Sequence, residues 1–135
     1  MLGTHQGGPL RRALILALLL AACVAAPEEK PYYWRLVSID GVPFTANATL
    51  AIDGDKARAF GQAPCNAWSG EIVSTPFPAW AIRNVVATEM ACDDLAAEAA
   101  FFAAMAAMTH SAVGIGHLEL VDQKGREMKF VPVAP

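Results

Sequence analysis

The chain is poor in positive charge. Its 135 residues include 10 Lys and Arg against 13 Asp and Glu, a net charge of −3, and no run of basic residues occurs anywhere. Nucleic-acid binding requires clustered Lys and Arg to displace counterions, so this composition argues against such a partner. Electrostatic attachment to anionic lipid is disfavoured for the same reason. Long apolar runs are also lacking. The apolar segment Ala13–Ala22 has ten residues, whereas a spanning helix needs ~20. Cysteine is sparse, with Cys23, Cys65 and Cys92 far apart and no C-x2-C pair. There is no internal repeat and no low-complexity tract beyond alanine, so a single domain is expected.

What is present at the N-terminus reads as an export signal. Arg11 and Arg12 precede the apolar segment Ala13–Ala22, and small residues lead up to Cys23. Leu20-Ala21-Ala22-Cys23 looks like a bacterial lipobox, in which cleavage before the cysteine exposes a thiol for diacylglycerol and an amino terminus for a further acyl chain. More than one chain holds a protein stably at a membrane. Val24 follows the cysteine, which favours outer-membrane sorting, with the domain facing the periplasm. Residues 1–22 are thus expected to be a removed signal peptide and 23–31 a tether containing two prolines, Pro27 and Pro31. Removing the signal takes away two arginines and no acid, so the remaining chain carries −5.

From residue 32 onward the pattern is mostly strand. Tyr33–Asp40 ends at the turn pair Asp40-Gly41; Thr49–Asp53 and Lys56–Gly61 form a hairpin around Gly54-Asp55; Glu71–Ser74 and Ala79–Val86 are separated by Pro76 and Pro78. Asp93 is the expected N-cap of a helix over Leu95–Met108, a stretch without Gly, Pro or β-branched residues. At ~100° per residue, Leu95, Phe101, Phe102, Met105 and Met108 share one side, and Glu98 falls within it. His110–Gly116 and His117–Asp122 follow, and the turn Gln123-Lys124-Gly125 leads to Glu127–Val133. The expected fold is α+β, mainly β: a small antiparallel sheet curled toward a barrel, with one helix packed on it.

The stretch Pro64-Cys65-Asn66-Ala67-Trp68-Ser69-Gly70, followed by Thr88-Glu89-Met90-Ala91-Cys92 and a helix carrying Glu98, resembles the META domain family. This family is also called HslJ-like after a bacterial heat-shock lipoprotein. Its members carry a Cys-Asn…Ser-Gly turn, a Thr-x-Met-x-Cys run and a helical Glu, and begin with Trp-x-Leu, here Trp34-Arg35-Leu36. Pro64 departs from the pattern, which has Gly or another small residue there. The resemblance covers residues 32–135 and implies a non-enzymatic envelope protein involved in heat-shock, envelope-stress or antibiotic tolerance. It implies no cofactor.

Once Cys23 is lipidated, Cys65 and Cys92 are the two cysteines left to form a bridge in an oxidising compartment. Two alternatives stay open: a nucleophilic cysteine served by His110 or His117, and a zinc site made of these four residues, although their dispersal is unlike paired zinc ligands. Glu98, a carboxylate among aromatics, needs partners, and backbone N–H groups of the Cys65–Gly70 turn are expected to supply them. Asn66 and Gly70 suit that turn. Trp68 is either a core plug or an exposed contact for a partner. The remaining function class is a module binding a small ligand or an envelope polypeptide.

Overall fold

A computed structural model describes residues 3, 25, 32–74 and 76–133. The expected signal peptide apart from residue 3, Cys23, and the expected tether apart from residue 25 lie outside the described residues. Nine strands and one helix follow in the order β1 (Tyr33–Ile39), β2 (Val42–Pro43), β3 (Thr49–Asp53), β4 (Arg58–Gln62), β5 (Ala67–Val73), β6 (Ala81–Ala87), α1 (Leu95–Ala107), β7 (His110–Gly114), β8 (His117–Val121) and β9 (Glu127–Pro132). All strand pairings are antiparallel, in the order β6-β5-β4-β3-β1-β9-β8-β7, with β2 on the flank of β1. The sheet curls into a half-barrel. Its two outer strands approach at one point, where Ala79 bridges His110 and Trp80 N–H donates to the Thr109 carbonyl at 2.8 Å.

Alternation in the strands supplies the core. Leu36, Leu50, Leu118, Leu120, Met128 and Phe130 point into the concave face and are fully buried. The helix closes that face with Phe101, Ala104 and Met105. These aromatics and aliphatics fill the interior expected of a small barrel. Among the described residues no helix is long and apolar enough to cross a membrane.

Several boundaries differ from the sequence reading, each for a physical reason. β5 begins at Ala67, because Gln62, Gly61 and Phe60 of β4 pair with Ala67, Trp68 and Ser69. The turn therefore shrinks to residues 63–66. The N-cap is Asp94, one residue later than expected, and its side chain makes no capping bond. Leu95 opens the helix and is exposed. β7 ends at Gly114, and the apolar Val113 and Ile115 are exposed. His117 begins an inner strand flanked by β7 and β9.

Candidate functional site

The family-like residues converge where the β4–β5 connection meets the start of the helix. The turn is closed by Ala63 N–H donating to the Asn66 carbonyl at 2.7 Å. Cys65 in this turn is disulfide-bonded to Cys92 on the approach to α1, with a Cα–Cα separation of 5.6 Å. The Asp94 N–H, one of the donors a helix N-terminus leaves without an internal partner, points at the Cys92 Sγ at 3.4 Å. The sulfur thus accepts from the backbone N–H of the N-cap residue itself.

Glu98 faces back toward the same turn. Its Oε2 accepts the Cys65 N–H at 2.8 Å and its Oε1 accepts the Asn66 Nδ2 at 2.7 Å. Glu98 is 8 % exposed and Asn66 4 %, so both bonds are shielded from water. The Asn66 amide has no freedom left. Its Nδ2 also donates to the Met90 carbonyl at 3.1 Å, and its Oδ1 accepts the Met90 N–H at 2.6 Å and the Thr88 hydroxyl at 2.9 Å. Asn66 pairs with the Met90 backbone as a neighbouring strand residue would, and so fixes the irregular run between β6 and α1. The expected bond from the turn backbone to Glu98 is present at Cys65.

Other candidates are placed differently. Trp68 is 4 % exposed; its Nε1 donates to the Thr49 carbonyl at 3.2 Å, and its ring meets Phe101 and Phe102 edge-on at 5.8 and 6.3 Å. It is a core plug joining β3, β5 and α1, which corrects the alternative of an exposed partner contact. Gly70 lies within β5, not in a turn, and a Cβ there would sit 3.0 Å from Ile82 Cγ1 and 3.1 Å from the Arg83 carbonyl. The β5–β6 register shifts between Ser69 and Glu71, and Gly70 admits the close approach.

The histidines do not join the cysteines. His110 Nδ1 lies 2.8 Å from the Thr109 hydroxyl, and His117 stands at the far end of the β7–β8 hairpin, its ring against Gly114. Among the described residues no three His, Cys, Asp or Glu side chains are grouped to hold a metal ion. The zinc set is not assembled, and both sulfurs of the nucleophile reading are in the disulfide.

Sequence reasoning missed Gly61, which faces Trp68 across β4 and β5. A Cβ there would collide with the Thr49 carbonyl, the acceptor of the Trp68 indole. A glycine inside a strand pattern is the available signal. Also missed was a shallow outer-face groove of about 560 Å³, lined in part by Tyr33, Arg58, Phe60, Gln62, Ser69 and Thr88. It follows the cross-strand row Tyr33, Ala51, Phe60, Ser69 and Val86.

Comparison with known proteins adds a family and a fold. The META domain model matches residues 28–135. No curated protein matches the chain. Among solved structures, an NMR structure of a protein from Burkholderia xenovorans is similar at 20% identity, covering 77% of this chain and 83% of its own, with a TM-score of 0.63. A second NMR structure is similar at 20% identity, covering 74% and 88%, with a TM-score of 0.56. At such identity these two show the shared fold alone.

Proposed function

Since the chain belongs to the META domain family, we propose that it is a non-enzymatic envelope lipoprotein, anchored through Cys23 to the outer membrane and facing the periplasm, that supports heat-shock or antibiotic tolerance. The observation that carries the non-enzymatic part is the use made of its reactive groups. Cys65 and Cys92 are joined to each other, and both Glu98 oxygens are occupied by donors from the turn. A general acid or nucleophile must be free to exchange its proton or electron pair with a substrate; these groups are committed to the fold. The anchor rests on the Leu20-Ala21-Ala22-Cys23 sequence, and the tolerance role on what the family resemblance implies.

The test is a deletion strain complemented with the natural gene, with Cys23→Ser and with Cys65→Ala/Cys92→Ala, scored for survival after heat shock and for antibiotic sensitivity. The reading expects rescue by the natural gene and loss of rescue by Cys23→Ser. A deletion strain indistinguishable from its parent in every condition overturns the tolerance role. A second reading, a small-ligand module, is favoured by the outer-face groove, whose volume falls within the range of small-molecule sites. Ligand-induced NMR shifts confined to Phe60, Ser69 and Thr88 would support it.

A further inference from the structure

The two ends of the half-barrel differ in chemistry. Antiparallel register places at one end the start of β1, the end of β9, the β3–β4 and β7–β8 turns and the β5–β6 connection. The opposite end carries the β1–β2 and β8–β9 turns, the disulfide-bonded β4–β5 turn and the entrance to α1. At this second end Val42, Met90 and Leu95 are exposed, but charges surround the β8–β9 turn: Arg126 pairs with Asp40 at 3.1 Å, and Asp122, Lys124 and Glu127 lie beside it.

The first end is largely apolar. Ile115 at the β7–β8 tip is fully exposed, Phe77 and Val113 are 74 % and 66 % exposed, and Tyr32, Tyr33 and Val133 are also open to solvent. They are joined along the sheet. Ser111 N–H bonds the Pro78 carbonyl, which brings β7 beside the Phe77 segment, and Val133 N–H bonds the Tyr33 carbonyl. Leu118 pairs with Phe130, so the β7–β8 tip stands beside the end of β9. No charged residue occurs from Thr109 to Leu118 or from Pro76 to Ile82. The charges at this end are of both signs: Asp53, Asp55, Lys56 and Arg58 lie around the β3–β4 turn, with Asp53 and Lys56 paired at 3.1 Å, and Glu71 lies opposite Arg83 beside the β5–β6 connection.

We propose that this rim rests in the interfacial layer of the bilayer that holds the lipid anchor, so that the disulfide-bonded end points away from the membrane. The inference rests on lipidation of Cys23. The occupant follows from where the chain enters: Tyr32 begins the domain within the rim, nine peptide steps after Cys23, a span of at most about 30 Å. A tether of that length keeps this end near the bilayer. Tyrosines and aliphatic tips suit the interface, where an apolar body and a polar tip are both satisfied. The rim lacks the basic patch that would bind lipid by itself, so it orients an anchored protein; it does not recruit a free one.

The experiment places an environment-sensitive fluorophore at Ile115→Cys, and in a separate variant at Lys124→Cys on the opposite end. The full-length gene is expressed, the anchored protein is reconstituted into phosphatidylethanolamine and phosphatidylglycerol vesicles, and intact mass reports the state of Cys23. With Cys23 lipidated, a blue-shifted Ile115 probe quenched by headgroup nitroxide lipids, beside an unshifted Lys124 probe, supports the rim. Lipidated protein whose two probes both report water overturns the rim while the anchor stands. With Cys23 unmodified, the anchor on which the inference rests is absent and the proposal is overturned with it; a shift of that unanchored protein on adding vesicles also contradicts a rim that does not bind lipid by itself. A shift in detergent-dispersed protein before vesicles are added, together with doubled mass, assigns the rim to a second copy and overturns the membrane reading.

Discussion

Replacing Glu98 by Gln isolates the hydrogen bonds that tie helix to turn without removing volume. The carboxylate accepts from two donors, Cys65 N–H and Asn66 Nδ2, whereas a glutamine amide offers one acceptor and one donor. The Asn66 amide cannot turn over to suit it, since its oxygen already accepts from Met90 and Thr88. One donor is left facing an NH2 group. A hydrogen bond to a charged group contributes about 1.5–3 kcal/mol, and an unpaired buried donor costs about 1–3; these overlap, so the expected loss is roughly 2–3 kcal/mol. For a domain of about 100 residues that corresponds to a fall in Tm of roughly 10–20 °C. Urea denaturation followed by tryptophan fluorescence measures it. Paired with Asn66→Ala, the double variant should lose less than the sum of the singles by roughly 0.5–3 kcal/mol. A Glu98→Gln protein within about 0.5 kcal/mol of the parent refutes the latch.

Three further outcomes are expected. Cys65→Ala/Cys92→Ala, which opens a loop of 27 residues, should cost about 3–4 kcal/mol in the chain-entropy model, read as a lower urea midpoint that equals that of the reduced parent. Gly61→Ala forces a Cβ against the Thr49 carbonyl and should destabilise by roughly 2–3 kcal/mol, with altered Trp68 fluorescence as its indole bond to that carbonyl is lost. Asp40 is held below its usual value of 3.8 by the Glu127 N–H and by Arg126. The stability it contributes is therefore present above that value and lost as pH falls through and below it; Asp40→Asn should flatten the dependence of the urea midpoint on pH below about 4.

Local patterns made most of the fold legible. The alternation of Leu118 and Leu120, and of Met128 and Phe130, announced which face each strand buries, and Asp40-Gly41 announced its turn, where both residues take positive φ. Glu98 was legible as a charge in an apolar stripe that had to be answered. The part of the site that was not legible depends on long-range pairing. Ala67–Gly70 reads locally as a turn because it holds a serine and a glycine, but β4 captures it through bonds set by register. Nor does Asn66 carry in its sequence any sign that its amide will pair with the Met90 backbone 24 positions away. Trp68 shows the limit of residue type alone: a tryptophan beside a polar turn suits a core or an interface, and its neighbours Phe101 and Phe102 decide for the core.

Thiol labelling of the mature protein taken from the envelope tests most directly the proposal that the cysteines of this chain serve its architecture and its attachment. Read by intact mass with and without prior reduction, the account predicts two labels that appear only after reduction, at Cys65 and Cys92, and a Cys23 that carries diacylglycerol and never labels. Free labelling of Cys65 or Cys92 without reduction, or an unmodified Cys23, contradicts it.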